Sequence, residues 1–531
     1  MSKRVYLSDF DLQQLDEQTL KELPAEQKDA LLVRLLWDLP EARERLKANA
    51  QTSSRPPSSD APWQGRSSEA AEPEESEPVD AAGEALANGE TEAGEEPAET
   101  SPEPEPAKEK SADPATNQPK QAGRRVGAPG HSRQLTLPIS DTIRHPPERC
   151  ARCGRALEPE AFIARTGWYV LEVESSAGDG LQGLQVRHDK PLYGEISGAC
   201  GHVNRTEPGR CPAEPLWEVQ LSEWHWVGPM RLSLIVCLSQ RMRLSRRRIQ
   251  EFLRDWLGVE LSTRTINPCL HEAGRAVEPI EEQRVEELQQ ASLAYADETP
   301  WKEWGQLLWL WVITTSTVCR YFIGYRSQEI LSHVFGEGVV GWLMSDGYQV
   351  YRQFQHRLRC WAHLQRKAKG LKDSLNAEAR AVGQATDALL NDLMKAIYQA
   401  REGPPRDLTA QFQDRLDAFA RLCEPHRDSA HEKTRALARE FLNDGEAIWI
   451  VVAHPPLPLT NHEAERALRH WVIARRISQG TRTEQGSRVV ALLASVIDTC
   501  RKRNILPWPY LAQVVAERRK GNSAPPLPAA G

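Results

Sequence analysis

The sequence predicts an α/β protein whose core is a mixed sheet interrupted by a large helical insertion. Three observations carry that expectation. Two adjacent runs, at 307–314 and 318–325, are packed with Val, Ile, Leu, Trp, Tyr and Phe, as buried strands are. Shorter apolar runs at 292–296 and 342–345 deliver Asp297 and Asp346 just past their ends. Residues 362–450 then carry almost unbroken helical patterns of Ala, Leu, Glu, Arg and Lys, too long for a connection within a sheet.

The order of elements sharpens the class. Strands at 292–296, 307–314 and 318–325 are followed by a helix near 327–335, a strand at 342–345, a helix beginning over Tyr348–Phe354 and a strand at 357–360. Three strands, a helix, a strand, a helix and a strand predict the mixed sheet of a ribonuclease H-like core. The chain divides accordingly: residues 290–365 as the first part of the core, 366–455 as the helical insertion, 459–500 as the second part and 501–531 as a C-terminal segment with a short helix. In the second part Asn461 is placed to cap a helix running to about Ala474, with a second helix over roughly 484–502.

Four regions precede the core. Residues 1–50 space leucines among charges and break at Pro24 and Pro40, which reads as a helical segment, either a small dimerising hairpin or a loosely attached one. Residues 51–130 are Pro, Glu, Ala, Ser and Gly with little to bury, a disordered linker. Residues 140–215 hold Cys150-Ala-Arg-Cys153-Gly154, two thiols at knuckle spacing with a glycine for the bend. Cys200 and His202 complete a Cys3His zinc set, with Cys211 as the alternative fourth ligand. Residues 218–277 read as helical. Ile249, Phe252, Leu253, Trp256 and Leu257 share a helix face, Gly258 ends it, and Ser262 caps the next helix. That is a helix-turn-helix pattern beside the basic cluster Arg241, Arg243, Arg246, Arg247 and Arg248, or equally an ordinary helical hairpin with a solvated face.

Charge and cysteine usage bound the partners. The whole chain carries -7, but the 68–110 segment alone holds 15 Asp and Glu against 2 Lys, leaving about +6 for the remainder. A mildly basic folded part is compatible with nucleic acid. Ten cysteines in 531 residues are no disulfide scaffold and suit a reducing compartment. The first residues lack an apolar leader and no run of 18 apolar residues occurs, so a soluble intracellular protein without a membrane span is expected.

The chemistry is expected at the acids. Phosphodiester transfer with two metal ions needs carboxylates converging from different elements, and magnesium prefers carboxylate and water ligands. Asp297 and Asp346 sit at strand ends, and a third carboxylate should come from the helix after the insertion. Glu463 and Glu465 are both there, two positions apart on different faces, and periodicity leaves the choice open. Glu298, adjacent to Asp297, points elsewhere and reads as a salt-bridge residue. Arg466, Arg469, Arg475, Arg476, Arg482 and Arg488 surround the third carboxylate in sequence and read as phosphate contacts. His363 reads as a hydrogen-bonded structural residue and Cys360 as buried. Trp301 and Trp304 either pack at the sheet edge or stack on a flipped base, packing being favoured.

The chain resembles the DDE transposases of the insertion-sequence 66 family. The resemblance runs through Ser53–Asp60, Gly127–His131 and Cys150–Gly154 and is most specific in YADETPW (Tyr295–Trp301), SDGYQVY (Ser345–Tyr351), CWAHLQRK (Cys360–Lys367) and NHEAERALR (Asn461–Arg469). It implies Asp297, Asp346 and Glu465 as the catalytic, metal-binding triad, choosing Glu465 over Glu463. It further implies two Mg2+ or Mn2+ ions per site, a structural Zn2+, and double-stranded DNA as partner, both the element's terminal inverted repeats and the target. Self-association as a dimer or larger assembly on DNA, accessory proteins of the same element, and a place in the prokaryotic cytoplasm at the nucleoid belong to the same expectation. The implied reaction is cleavage at element ends followed by transfer of the 3′-OH. The alternatives are an inactive or domesticated DNA-binding descendant and another ribonuclease H-like nuclease or resolvase. The long acidic segment and the Cys-Gly-His in place of a second cysteine pair depart from the family pattern.

Overall fold

Alternation along the central strands decides which side chains reach which layer. The computed structural model describes residues 137–175, 183–327, 329–330, 341–404 and 406–529, with positions 28, 29 and 32. The expected N-terminal helices (beyond those three helical positions), the acidic linker and the Gly127–His131 element lie outside the described residues, as does most of the helix expected near 327–335.

The first described layer is a small sheet of β1 (Asp141–His145), β2 (Ile163–Gly167), β3 (Val170–Ser175), β4 (Leu184–Ser197) and β5 (Val203–Arg205). Every other strand of this sheet pairs with β4, β1 in parallel and the rest antiparallel. Its core beneath the cysteine loop is thin: Cys150, Leu157, Phe162 and Ile196. So little buried apolar surface gives the loop a weak hold of its own.

Four helices follow: α1 (Pro229–Gln240), α2 (Arg246–Leu257), α3 (Thr263–Val277) and α4 (Glu281–Gln289). Residues 218–228 are not helical, contrary to expectation, and α1 begins only after Gly228 with Pro229 at its first position. The α2 and α3 boundaries are where their capping residues put them. Ser245 and Ser262 each accept an orphan backbone N–H, from Arg248 and Thr265, and Gly258 ends α2 at φ 61°.

The large sheet contains β6 (Leu293–Glu303), β7 (Gln306–Thr314), β8 (Cys319–Gly324), β9 (Trp342–Ser345) and β10 (Arg357–Arg359), in the spatial order β10-β9-β6-β7-β8. β6, β7 and β8 form an antiparallel meander, while β9 and β10 add in parallel on the other side of β6. The stretch expected as a helix over 348–354 is a single short 3-10 turn, Gln349–Gln353.

The helical insertion follows β10: α5 (Trp361–Lys372), α6 (Ala377–Arg401), α7 (Thr409–Cys423) and α8 (Glu432–Ala453). Asn376 caps α6, and Val382, Leu389, Leu390, Leu393 and Ile397 recur along its buried face. These pack with Trp361, Phe412, Phe419 and Phe441, and with Met344 and Leu358 of the sheet. α9 (His462–Ser478) and α10 (Glu484–Lys502) then cross one face of the sheet, and α11 (Pro507–Arg519) joins α1 and α3. Alternate residues Leu310 and Val312 of β7 meet Leu468 and Trp471 of α9, while Trp311 and Ile313 face the opposite layer. α3 and α10 pack closely at Gly274, where a Cβ would lie 2.9 Å from Val489 Cγ2.

α3 is largely buried from Cys269 through Val277, and the exposed residues lie in its first turns. Its Glu272 is held by Arg519 of α11 at 2.7 Å, both side chains being almost wholly buried. Removing one partner of such a pair strands the other charge. Glu272→Ala is expected to destabilise the fold by about 3–5 kcal/mol, read as a lowered denaturant midpoint.

Candidate active site

Asp297 lies within β6, opposite Val312 of β7, and beyond the last β6 residue paired with β9. Asp346 follows β9 directly. Both are half-buried, and the turn after Asp346 is fixed by its own carboxylate, which accepts the Tyr348 backbone N–H at 2.9 Å. A Cβ at Gly347 would lie 2.6 Å from Arg359 Nη2 and 2.9 Å from Glu440 Oε1, so a side chain there would displace the ends of that ion pair.

Glu465 comes from the first turn of α9, 27% exposed at its side chain. Arg366 Nη2 lies 3.3 Å from Glu465 Oε1 and His363 Nδ1 lies 3.8 Å from it. Glu463 turns away and pairs with Lys502 of α10 at 2.9 Å. The two rivals therefore face different surroundings. Asn461 sits at the N-cap position but does not cap, in contrast to the sequence expectation. Its buried amide donates instead to the Ala296 carbonyl at 2.9 Å, one residue before Asp297, which ties the start of α9 to β6.

The three carboxylates share one electrostatic neighbourhood. Asp297 keeps some exposure yet is densely surrounded. That burial first, then the negative charges of Glu298, Asp346 and Glu465, hold its carboxyl well above the usual range. The Glu298 backbone N–H, 2.9 Å from Asp297 Oδ1, works weakly the other way.

Glu298 is the residue that sequence reasoning undervalued. It does point away from Asp297, but into a buried site. Its Oε1 accepts from Arg326 Nη2 at 2.6 Å and Nε at 3.1 Å, and its Oε2 accepts from the Tyr351 hydroxyl at 2.8 Å. Arg326 in turn lies 3.7 Å over the Tyr348 ring and 4.3 Å over the Trp309 ring. Burial and the Asp346 charge push Glu298 up to about 7, against the pull of Arg326 and Tyr351. A buried acid thus braces β6 against the turn that carries Asp346.

Cys360, His363 and Glu465 place one ligand atom each within 4.8 Å of one another. Burial pushes the Cys360 thiol up to about 11 and drives His363 well below its usual value, with Arg366 adding to the latter. The Cys360 thiol accepts the Asn461 backbone N–H at 3.2 Å, which ties this group to the start of α9, and Arg366 stands beside Glu465.

The second group is Cys150, Cys153 and Cys200, again within 4.8 Å. Cys150 is drawn down to about 6, first by the Cys153 backbone N–H. The expected fourth ligands do not join it. The His202 backbone N–H turns toward the Cys200 thiol and its carbonyl accepts from Gly198 at 2.8 Å, while its half-buried imidazole stays outside the group. Cys211 is buried in the helical core with Leu221, whose carbonyl takes its backbone N–H at 2.8 Å.

The arginines divide. Arg246, Arg247 and Arg248 are exposed on the first turn of α2, as are Arg466, Arg469, Arg476 and Arg482 on α9 and the loop after it. Arg466 lies 3.9 Å from Glu463. Two are engaged within the chain: Arg475 donates to the Pro300 carbonyl, and Arg488 pairs with Glu278 while lying 5.7 Å over Trp217. The described residues contain no helix long and apolar enough to cross a membrane.

Residues 225–489, from the segment before α1 to within α10, match the model described as the Transposase IS66 family. The chain belongs to that IS66 transposase family. Two curated relatives come from Sinorhizobium fredii (strain NBRC 101917 / NGR234). The uncharacterized protein y4jO is 28% identical over 169 residues, 32% of this chain and 50% of the relative. The uncharacterized protein y4qI is 23% identical over 307 residues, 51% of this chain and 55% of the relative. The chain spans about half the length of the curated relatives it matches. The IS66 match contains Asp297, Asp346 and Glu465 together with the insertion between the last two.

The raised carboxyls set a pH dependence. Folded Asp297 and Glu298 hold protons at pH values where the unfolded chain has lost them. Between the unfolded and folded pKa values the folded state binds more protons, so stability falls as pH rises through that window. In chelator, Asp297→Asn is expected to raise the thermal midpoint by a few degrees, with a larger gain near pH ~8 than near pH ~5, read by thermal unfolding across that range.

Proposed function

We propose that this protein is a DDE transposase that cuts DNA at the ends of its element and joins the exposed 3′-OH to target DNA. The observation that carries the proposal is the IS66 family match spanning Asp297, Asp346 and Glu465, beside a buried Asp297 carboxyl on which the charges of Glu298, Asp346 and Glu465 all bear. The sheet order, an antiparallel meander extended by two parallel strands, supports a ribonuclease H-like core.

Divalent cations fit such a partly open site, because they offset both the burial and the like charges that hold Asp297 up. Asp297, Asp346 and Glu465 would hold Mg2+ or Mn2+, which when bound supplies an activated water or 3′-OH and stabilises the leaving oxygen. The chain's own residues do the positioning. Asn461 and Glu298 fix the backbones that present the acids. Arg366 holds the Glu465 carboxylate now and is placed to turn toward a phosphate when Glu465 is engaged elsewhere. The exposed arginines of α2 and α9 supply affinity for the DNA backbone, and α2 with α3 forms the helix pair for duplex contact. The three thiols support a structural zinc site whose fourth ligand comes from elsewhere or from His202 after a side-chain rotation. Pairing two DNA ends calls for self-association on DNA.

In a magnesium- or manganese-dependent cleavage and joining assay, Asp297→Asn, Asp346→Asn and Glu465→Gln are each expected to lower both reactions at least ~1000-fold while DNA binding persists. A fully active Glu465→Gln would move the third role to Glu463 or end the proposal. Metal analysis of the purified chain is expected to find one zinc per chain, lost in Cys153→Ser. Zinc-free wild-type protein would reduce the knuckle to a hydrogen-bonded turn.

A further inference from the structure

The hairpin joining β6 to β7 has the two-residue loop Trp304–Gly305, since Glu303 pairs directly with Gln306. Both loop residues have positive φ, 49° at Trp304 and 85° at Gly305. Tight hairpins of this kind take Asn or Gly at the first position, because a Cβ there is strained and a bulky residue is an outlier. Trp304 accepts that strain while burying nothing: it is 78% exposed. An aromatic that costs the turn stability and does not pack is accounted for by something outside the chain.

The tip is held rigidly. The Trp304 backbone N–H donates to the Thr481 carbonyl at 3.0 Å, and the Thr481 backbone N–H donates to Lys302 at 2.9 Å. The Trp301 indole donates to the Thr481 hydroxyl at 3.0 Å, so Trp301 packs where Trp304 does not. Gly480 makes the approach possible, since a Cβ there would lie 2.0 Å from the Lys302 carbonyl oxygen. Lys302 on the hairpin, Arg482 beside the Thr481 that grips it and Arg476 near the end of α9 are exposed, and Glu303 is turned inward to Ser487.

We propose that Trp304 is a stacking platform for an unpaired DNA base, with Lys302, Arg476 and Arg482 on the neighbouring phosphates. An exposed indole beside flexible cations is the chemistry of base stacking with backbone contact. The inference rests on the transposase reading and adds to it a second DNA contact away from the acids. Trp304 lies seven positions beyond Asp297 in the chain, about 23 Å at ~3.3 Å per residue, or roughly seven nucleotides of duplex at ~3.4 Å each.

The test uses the full chain and two probes, an intact duplex and the same duplex with a short gap holding 2-aminopurine about seven nucleotides from a 3′ end. Wild type is expected to prefer the gapped probe and quench its fluorescence. Trp304→Gly is expected to weaken gapped-probe binding about tenfold and abolish the quench, with a melting temperature no lower than wild type because the turn is relieved. Trp304→Phe is expected to restore most of both. An unchanged quench in Trp304→Gly overturns the platform while leaving the transposase reading standing. Altered sedimentation of Trp304→Gly with unchanged DNA binding also overturns it, assigning the tip to contact with a second copy. Wild type that binds neither probe overturns the transposase reading itself, and the platform with it.

Discussion

The burial of an acid among like charges is the constraint around which the rest of this structure is arranged. Burial first, then the charges of Glu298, Asp346 and Glu465, raise the Asp297 carboxyl in the metal-free chain, and holding it there costs free energy. Such a site persists only when the scaffold over-determines it. Apolar packing does so on both faces of the sheet, with Trp311 on one side and Trp301 and Trp471 on the other. Polar locks then set the positions of the acids: Asn461 onto Ala296, Glu298 onto Arg326 and Tyr351, and Gly347 beneath Arg359.

The helical insertion takes part in this arrangement. Glu440 and Asp444 of α8 collect cations from the core. Glu440 pairs with Arg359 and Lys367, and Asp444 with Arg352 and Arg357. Asp444 sits at a kink in α8, with φ -116°, where the helix opens to admit two guanidinium groups. Burial alone would raise its carboxyl, but those arginines outweigh it and hold it below the ordinary value. Buried pairs of this kind add little net stability over apolar packing and are costly to break. Their effect is on geometry: Arg359 and Lys367 are held where their charge also bears on Asp346. The insertion therefore fixes the field at the acids while lying outside the strands that carry them.

How far the sequence could be read follows from what periodicity contains. The strands at 307–314 and 342–345, the cap at Ser262 and the stop at Gly258 were legible because each depends on residues close in the chain. The role of Glu298 was not. Alternation correctly sends it to the opposite face from Asp297, but only the fold reveals that Arg326 and Tyr351 bury it there. Asn461 failed for the same reason. Its cap position is local information, whereas the Ala296 carbonyl that takes its amide lies on a strand 165 residues away. Spacing alone left Glu463 and Glu465 level, and the family resemblance chose Glu465. Their partners differ, Lys502 for Glu463 and Arg366 with His363 for Glu465. His202 had the spacing of a ligand, yet its imidazole stands outside the three thiols in the metal-free chain.

β6 and α9 together act as two rails between the ends of the site. β6 carries Asp297 near its middle and Trp304 just beyond its end. α9 carries Glu465 in its first turn and runs into the loop at Thr481 that grips the hairpin. The rails are joined at the acid end by Asn461 and at the hairpin end by Thr481 and Gly480, with Trp301 and Trp471 packed between. A strand and a helix locked at both ends resist sliding independently, since a shift must break the buried Asn461–Ala296 bond at one end and the Thr481 bonds at the other. The separation between the acids and the exposed indole is thus a fixed length of the scaffold. A DNA strand that reaches both meets them at one register, set by covalent distance along β6 and independent of its base sequence.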